Sequence, residues 1–126
     1  MCGINETLTS LNYLAAECHC TAKEKGWHEK ERSPLEIAAL IHSEISEFVE
    51  DERDPQKWPA SGIGLAHDGI DCILPAKPIG PAIELADALI RILDYMQHRG
   101  YDIECAVRLK MEYNKTRAHR HGGKKY

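Results

Sequence analysis

Ser33-Pro34-Leu35-Glu36-Ile37-Ala38-Ala39-Leu40-Ile41-His42-Ser43-Glu44-Ile45-Ser46-Glu47-Phe48-Val49-Glu50-Asp51-Glu52-Arg53 is the stretch on which the fold turns. Leu35, Ala38, Ile41, Ile45, Phe48 and Val49 recur at helical spacing, which predicts an amphipathic helix. Ser33 is a good N-cap, and Pro34 suits the first helical position, where no backbone N–H is needed. Pro55 ends the helix. Between Leu35 and Glu52 there is no Lys or Arg, yet Glu44 and Glu47 lie i, i+3 on one face among Ile41, Ile45 and Phe48. Acids in such surroundings sit beside a core rather than in open solvent, and they need a positive partner.

Three more helices are expected around this one. Leu8, Leu11, Ala15, Cys18 and Ala22 mark a helix over residues 6–25, with Gly26 as its stop. Ile83, Ala86, Leu89, Ile90 and Leu93 mark another from Pro81 to a stop at Gly100. A fourth follows Asp102 as N-cap, carrying Cys105, Ala106, Leu109, Met111 and Tyr113 to about Arg117. The short link between the last two makes them antiparallel neighbours. Residues 55–80 are aperiodic and rich in Pro and Gly. They predict a long irregular loop of functional or mobile character, with room for a short hairpin through Ile70 to Leu74. Residues 118–126 read as a basic tail, extended or frayed. The expectation is an all-α, four-helix bundle-like single domain over residues 1–126.

The net charge of −4 conceals an asymmetry. Residues 108–126 hold seven Lys or Arg against Glu112 alone, a balance of +6, which leaves −10 on the rest. The acidic remainder opposes a nucleic-acid backbone, so nucleic acid is not the expected partner. No apolar run approaches the roughly 18 residues of a membrane span, and the start of the chain does not read as a signal peptide. Cys2, Cys18, Cys20, Cys72 and Cys105 form an odd, scattered set, which suits reduced thiols in the cytoplasm. Cys18-His19-Cys20 lacks the second ligand pair that a zinc clip needs.

Glu84 and Asp87 repeat the i, i+3 pattern of Glu44 and Glu47, again within apolar sequence. Two such pairs repel when brought together unless protonated or bridged by a cation. Magnesium is the divalent ion that joins carboxylates to substrate phosphates. The plainer alternative is that these acids form the polar faces of two amphipathic helices. Against it, neither Glu pair has a Lys or Arg at i+4; only Asp87 does, in Arg91. Asp94, two turns from Asp87, is either an outer ligand or an acid paired with Arg91 or Arg99 or facing solvent. A di-iron bundle is disfavoured because no Glu has a His three residues on.

Glu44-x-x-Glu47, a linker, Glu84-Leu-Ala-Asp87 and Lys110-Met-Glu-Tyr-Asn114-Lys-Thr-Arg117 resemble the MazG-like branch of the all-α NTP pyrophosphohydrolase superfamily. Glu24-Lys25-Gly26-Trp27, Ala39-Leu40-Ile41-His42-Ser43-Glu44 and Arg120-His121-Gly122-Gly123-Lys124-Lys125 follow the family order, so the likeness covers nearly the whole chain. The resemblance implies a helical dimer or tetramer that hydrolyses a nucleoside triphosphate to the monophosphate and pyrophosphate, in nucleotide-pool housecleaning. It implies Mg2+ as cofactor, with Mn2+ as a substitute, held by Glu44, Glu47, Glu84 and Asp87. Lys110, Asn114 and Arg117, spaced along one helix face, match groups near the phosphates and sugar. Their alternative is a solvated face. Trp27 matches a base-contacting tryptophan of dCTP-preferring relatives; as an aromatic it is either a stacking plate or a core residue. Lys23 is a further phosphate candidate.

Ser43 stands where several relatives carry another acid, and His42 points away from Glu44, as a surface or packing histidine. The expected mechanism has Glu44 or Glu47 orient a water near the α-phosphorus, with Lys110 and Arg117 on the leaving pyrophosphate. The alternative function is a non-catalytic helical interaction module that keeps the fold.

Overall fold

The helix boundaries follow the capping chemistry. In the computed structural model, which describes residues 10–66, 76–123 and 125, the chain forms two compact units. One comprises Met1–Lys25 with Leu93–Tyr126, the other Gly26–Ile92. No helix among the described residues is long and apolar enough to cross a membrane.

In the first unit, α1 spans Leu11–Glu24 and not residues 6–25: Ser10, in an extended conformation, is the N-cap, and its side chain accepts from the Tyr13 amide. Gly26, at φ 83°, follows its end, as the stop signal predicts. The C-terminal turns of α3 (Pro81–His98) close in a Schellman motif. Gly100 N donates to Gln97 O at 3.0 Å and Tyr101 N to Met96 O at 2.9 Å, with Gly100 in the left-handed region at φ 71°. Asp102 then caps α4 (Ile103–Thr116) by accepting from the Cys105 amide. Ala15, Leu93 and Ile103 form the buried cluster, with Leu11, Cys18 and Met96 packed against it. The tail departs from expectation: Arg120–Gly123 forms a single helical turn, α5.

Asn12 does a job that no local pattern announces. Its Oδ1 accepts from Ile103 N at 3.1 Å and Glu104 N at 3.4 Å, and its Nδ2 donates to Asp102 Oδ1 at 3.2 Å. One α1 side chain thus satisfies two of the orphan donors at the start of α4. Asn12→Ala is expected to lower stability by about 1–2 kcal/mol, read as a lower urea midpoint at unchanged slope. A midpoint equal to that of the wild type would contradict this role.

In the second unit, Ser33 Oγ accepts from Glu36 N at 3.2 Å, and α2 runs Pro34–Glu52 with Pro34 in its first turn. A 3-10 turn at Pro55–Lys57 follows. The supposed irregular loop then contains a small sheet, which corrects the all-α expectation. β1 (Gly64–Ala66) pairs antiparallel with β2 (Lys77–Ile79), in register Gly64↔Ile79, Leu65↔Pro78 and Ala66↔Lys77. The expected hairpin through Ile70 to Leu74 lies outside the described residues.

Three-residue strands carry too little alternation to be read from sequence; Trp58 supplies what they lack. Its indole N–H donates to Asp51 O at 3.2 Å. Its ring lies so close to Gly64 and Gly80 that a Cβ at either would meet it at 3.2 or 3.1 Å.

Candidate metal centre

Helical spacing puts Glu44 and Glu47 on one face of α2, and Glu84 and Asp87 on one face of α3. The fold brings three of them together: carboxylate oxygens of Glu44, Glu47 and Glu84 lie within 4.8 Å of one another. Asp87 stands outside this tight trio, yet close enough for the Glu44 charge to act on it.

The crowding raises the acids' affinity for protons. Burial is the first cause pushing the Glu84 carboxyl up to about 7, followed by the charge of Glu47, a hydrogen bond with Glu47, and the charges of Asp87 and Asp51. Glu47 is raised first by its hydrogen bond to Glu44, then by that residue's charge. Asp87 is raised by burial and then by Glu44, against the pull of Arg91 and Lys77. Such a cluster favours any positive species that can enter it, proton or metal ion. Compared with protein-family models, with curated proteins and with solved structures, the chain matches none.

Two participants were missed in the sequence. Arg91 Nε donates to Glu44 Oε1 at 2.8 Å, so the positive partner that α2 lacks comes from α3. The signal was there: Arg91 falls i+4 from Asp87 and i+7 from Glu84, on their face. Asp51 extends the α2 stripe in the same way, i+4 from Glu47 and i+7 from Glu44. This Arg91 bond partly favours the plainer alternative, since Glu44 has a salt-bridge partner.

Trp27 is 44% exposed, which removes its core-packing alternative. Its ring carries two guanidiniums, Arg32 at 5.0 Å and Arg91 at 5.3 Å from the centroid. Ser43 Oγ turns back to donate to Leu40 O at 2.7 Å, so it is no substitute ligand. His42 is exposed. Lys23, Lys110, Asn114 and Arg117 belong to the other unit. There Lys110 and Arg117 both rest on the Tyr113 ring, at 4.9 and 5.7 Å; Lys110, Asn114 and Lys23 are exposed and Arg117 is half-buried.

In that same unit Asp94 pairs with His19, Nδ1 to Oδ1 at 2.8 Å. Burial and the Asp94 charge raise the Cys18 thiol, opposite to what a thiolate ligand requires.

The raised acids fix a sign for the pH dependence of stability. Glu84 ionises near 4.5 when unperturbed and at about 7 in the folded protein, so the folded state binds the proton more tightly. Its contribution is complete below the unperturbed value and is lost as pH rises through the folded one. In EDTA, the melting temperature is therefore expected to fall between pH 5 and 8. Saturating Mg2+ should flatten that fall, because a bound cation replaces the proton. A melting temperature that climbs over this range in EDTA would contradict the crowding.

Proposed function

We propose that this chain is a magnesium-dependent nucleoside triphosphate pyrophosphohydrolase of MazG-like, bundle-type architecture, converting an NTP or dNTP to the monophosphate and pyrophosphate. The observation that carries the reading is the trio Glu44, Glu47 and Glu84, drawn from two helices, with oxygens within 4.8 Å of one another. Magnesium binds oxygens at about 2.1 Å, so ligands on opposite sides of one ion stand about 4.2 Å apart. The trio's 4.8 Å limit is close to that span, and the donor set is all carboxylate, as this ion prefers. Glu44, Glu47 and Glu84 hold the ion, with Asp87 alongside; Mn2+ serves as a substitute. When bound, the ion neutralises phosphate charge and acidifies coordinated water.

The chain's own residues divide the remaining work. Glu44 is buried and tied to Arg91, so it is a fixed ligand. Glu47 is exposed, which suits it to orient the attacking water and accept its proton. Lys23, Lys110, Asn114 and Arg117 enter as phosphate and sugar contacts, and Trp27 as a base contact, on the resemblance alone.

Self-association belongs to the same proposal. Buried hydrophobics among the described residues are confined to Ala15, Ala88, Leu93 and Ile103, while Ile45, Val49, Leu85, Leu89 and Ile92 are exposed. Apolar surface of that extent on two helices favours a second copy. The free thiols of Cys18, Cys20 and Cys105 support a cytoplasmic setting.

The test is pyrophosphate release from a panel of canonical and modified nucleotides, with and without Mg2+. Metal-dependent release from at least one is the expected result. Release from none would favour the non-catalytic interaction module, a reading to which the Arg91–Glu44 ion pair gives some support.

A further inference from the structure

Glu44 is the buried charged side chain among the described residues, at 7% exposure. A carboxylate so placed needs a fixed partner, because desolvation otherwise drives it neutral. Arg91 is that partner, through Nε at 2.8 Å. Arg91 is itself held from the other side: its guanidinium lies 5.3 Å from the centre of the Trp27 indole. Trp27 in turn is braced by Arg32, which stacks on the ring at 5.0 Å and donates to the Trp27 backbone carbonyl. A continuous line of contacts thus runs from a half-exposed aromatic ring, through one guanidinium, to a member of the acid trio.

We infer that Arg91 is a positioning residue that sets the Glu44 carboxylate within the trio, and that Trp27 acts on cation binding through Arg91. The inference rests on the reading above in one respect, that the trio takes a divalent cation. Arginine suits the role for a physical reason. Its planar guanidinium can stack on the indole while its Nε–H points along the plane to a carboxylate oxygen. A lysine carries the same charge but has neither the plane nor the Nε. Exchange of Arg91 for Lys therefore separates position from charge. The thermodynamic consequence is that residues 27 and 91 share one effect on the cation and do not contribute independently.

The experiment measures Mn2+ affinity of the full chain without nucleotide, by electron paramagnetic resonance, with circular dichroism to verify folding. Arg91→Lys is expected to weaken binding by about tenfold, the scale of one charge-assisted hydrogen bond. Trp27→Leu is expected to weaken it by about threefold, the scale of an exposed cation–π contact. Trp27→Phe keeps a ring and should stay within about twofold of the wild type. The Arg91→Lys, Trp27→Leu double variant should bind no more weakly than Arg91→Lys alone.

Wild-type affinity in Arg91→Lys, or additive losses in the double variant, overturns the inference. Should Arg91→Lys fail to fold, equal Mn2+ affinities in Trp27→Leu and Trp27→Phe overturn it instead. Absence of Mn2+ binding by the wild type overturns this inference and the hydrolase reading together. Mn2+ binding that Arg91→Lys weakens, in a protein that releases no pyrophosphate from any nucleotide, upholds the inference and sinks only the hydrolase reading.

Discussion

On the proposed hydrolase reading, Glu47→Gln is expected to reduce turnover by about a thousandfold, the scale of a lost general base, while raising the melting temperature in EDTA. The two effects share one cause. The Glu47 carboxylate lies within 4.8 Å of those of Glu44 and Glu84, and its charge helps push the Glu84 carboxyl up. A neutral amide keeps the side chain's shape and removes one negative charge from the trio, so the metal-free protein loses repulsion. The same amide is a poor metal ligand and cannot accept a proton from water, so the proposed catalysis should fail. The check is a paired measurement of kcat and of melting in EDTA and in Mg2+. A variant with full activity would end the assignment of Glu47. One that is inactive and also destabilised in EDTA would show that Glu47 supports the fold and not the chemistry.

Gly80→Ala should have the largest effect on stability, at about 3–4 kcal/mol when strain and a broken hydrogen bond are added. Gly80 adopts φ 118°, and a Cβ there would stand 2.4 Å from Gly62 O and 3.1 Å from the Trp58 ring. Neither neighbour yields easily. Gly62 O accepts from Ala82 N at 3.1 Å, which anchors the loop to the first turn of α3. Trp58 is held by its bond to Asp51 O. Because Glu84 N donates to Gly80 O at 3.1 Å, a displaced Gly80 also moves the start of the helix that carries Glu84. Chemical denaturation of the variant should show the loss, and Mn2+ affinity should fall with it. A variant within about 1 kcal/mol of the wild type, the ordinary effect of a point substitution, would mean the loop can rearrange around a methyl group.

Much of this was legible in the chain. Ser33-Pro34, Asp102 and Gly100 mark helix ends at the positions seen, because a cap needs only groups within a turn of itself. The i, i+3 acids were legible for the same reason. Four features were not: the short sheet, the Trp58 brace, the Asn12 cap and the Arg91–Glu44 bond. The Arg91–Glu44 bond joins residues 47 apart, and the Asn12–Asp102 bond residues 90 apart. No spacing rule reaches so far. Arg91 lies on the face of Asp87, but its partner belongs to another helix.

By itself the sequence determined where α2, α3 and α4 run and where α1 ends, and that four acids have apolar neighbours along the chain, since periodicity and capping are short-range effects; it set the start of α1 five residues early and Glu47 beside the core, where Glu47 is exposed. The tertiary structure alone decided that Glu44, Glu47 and Glu84 converge, that Asp87 stays just outside, and that Arg91 holds the buried member. Proton affinity and cation affinity depend on distances between side chains on different helices. Those distances exist only once the chain has folded.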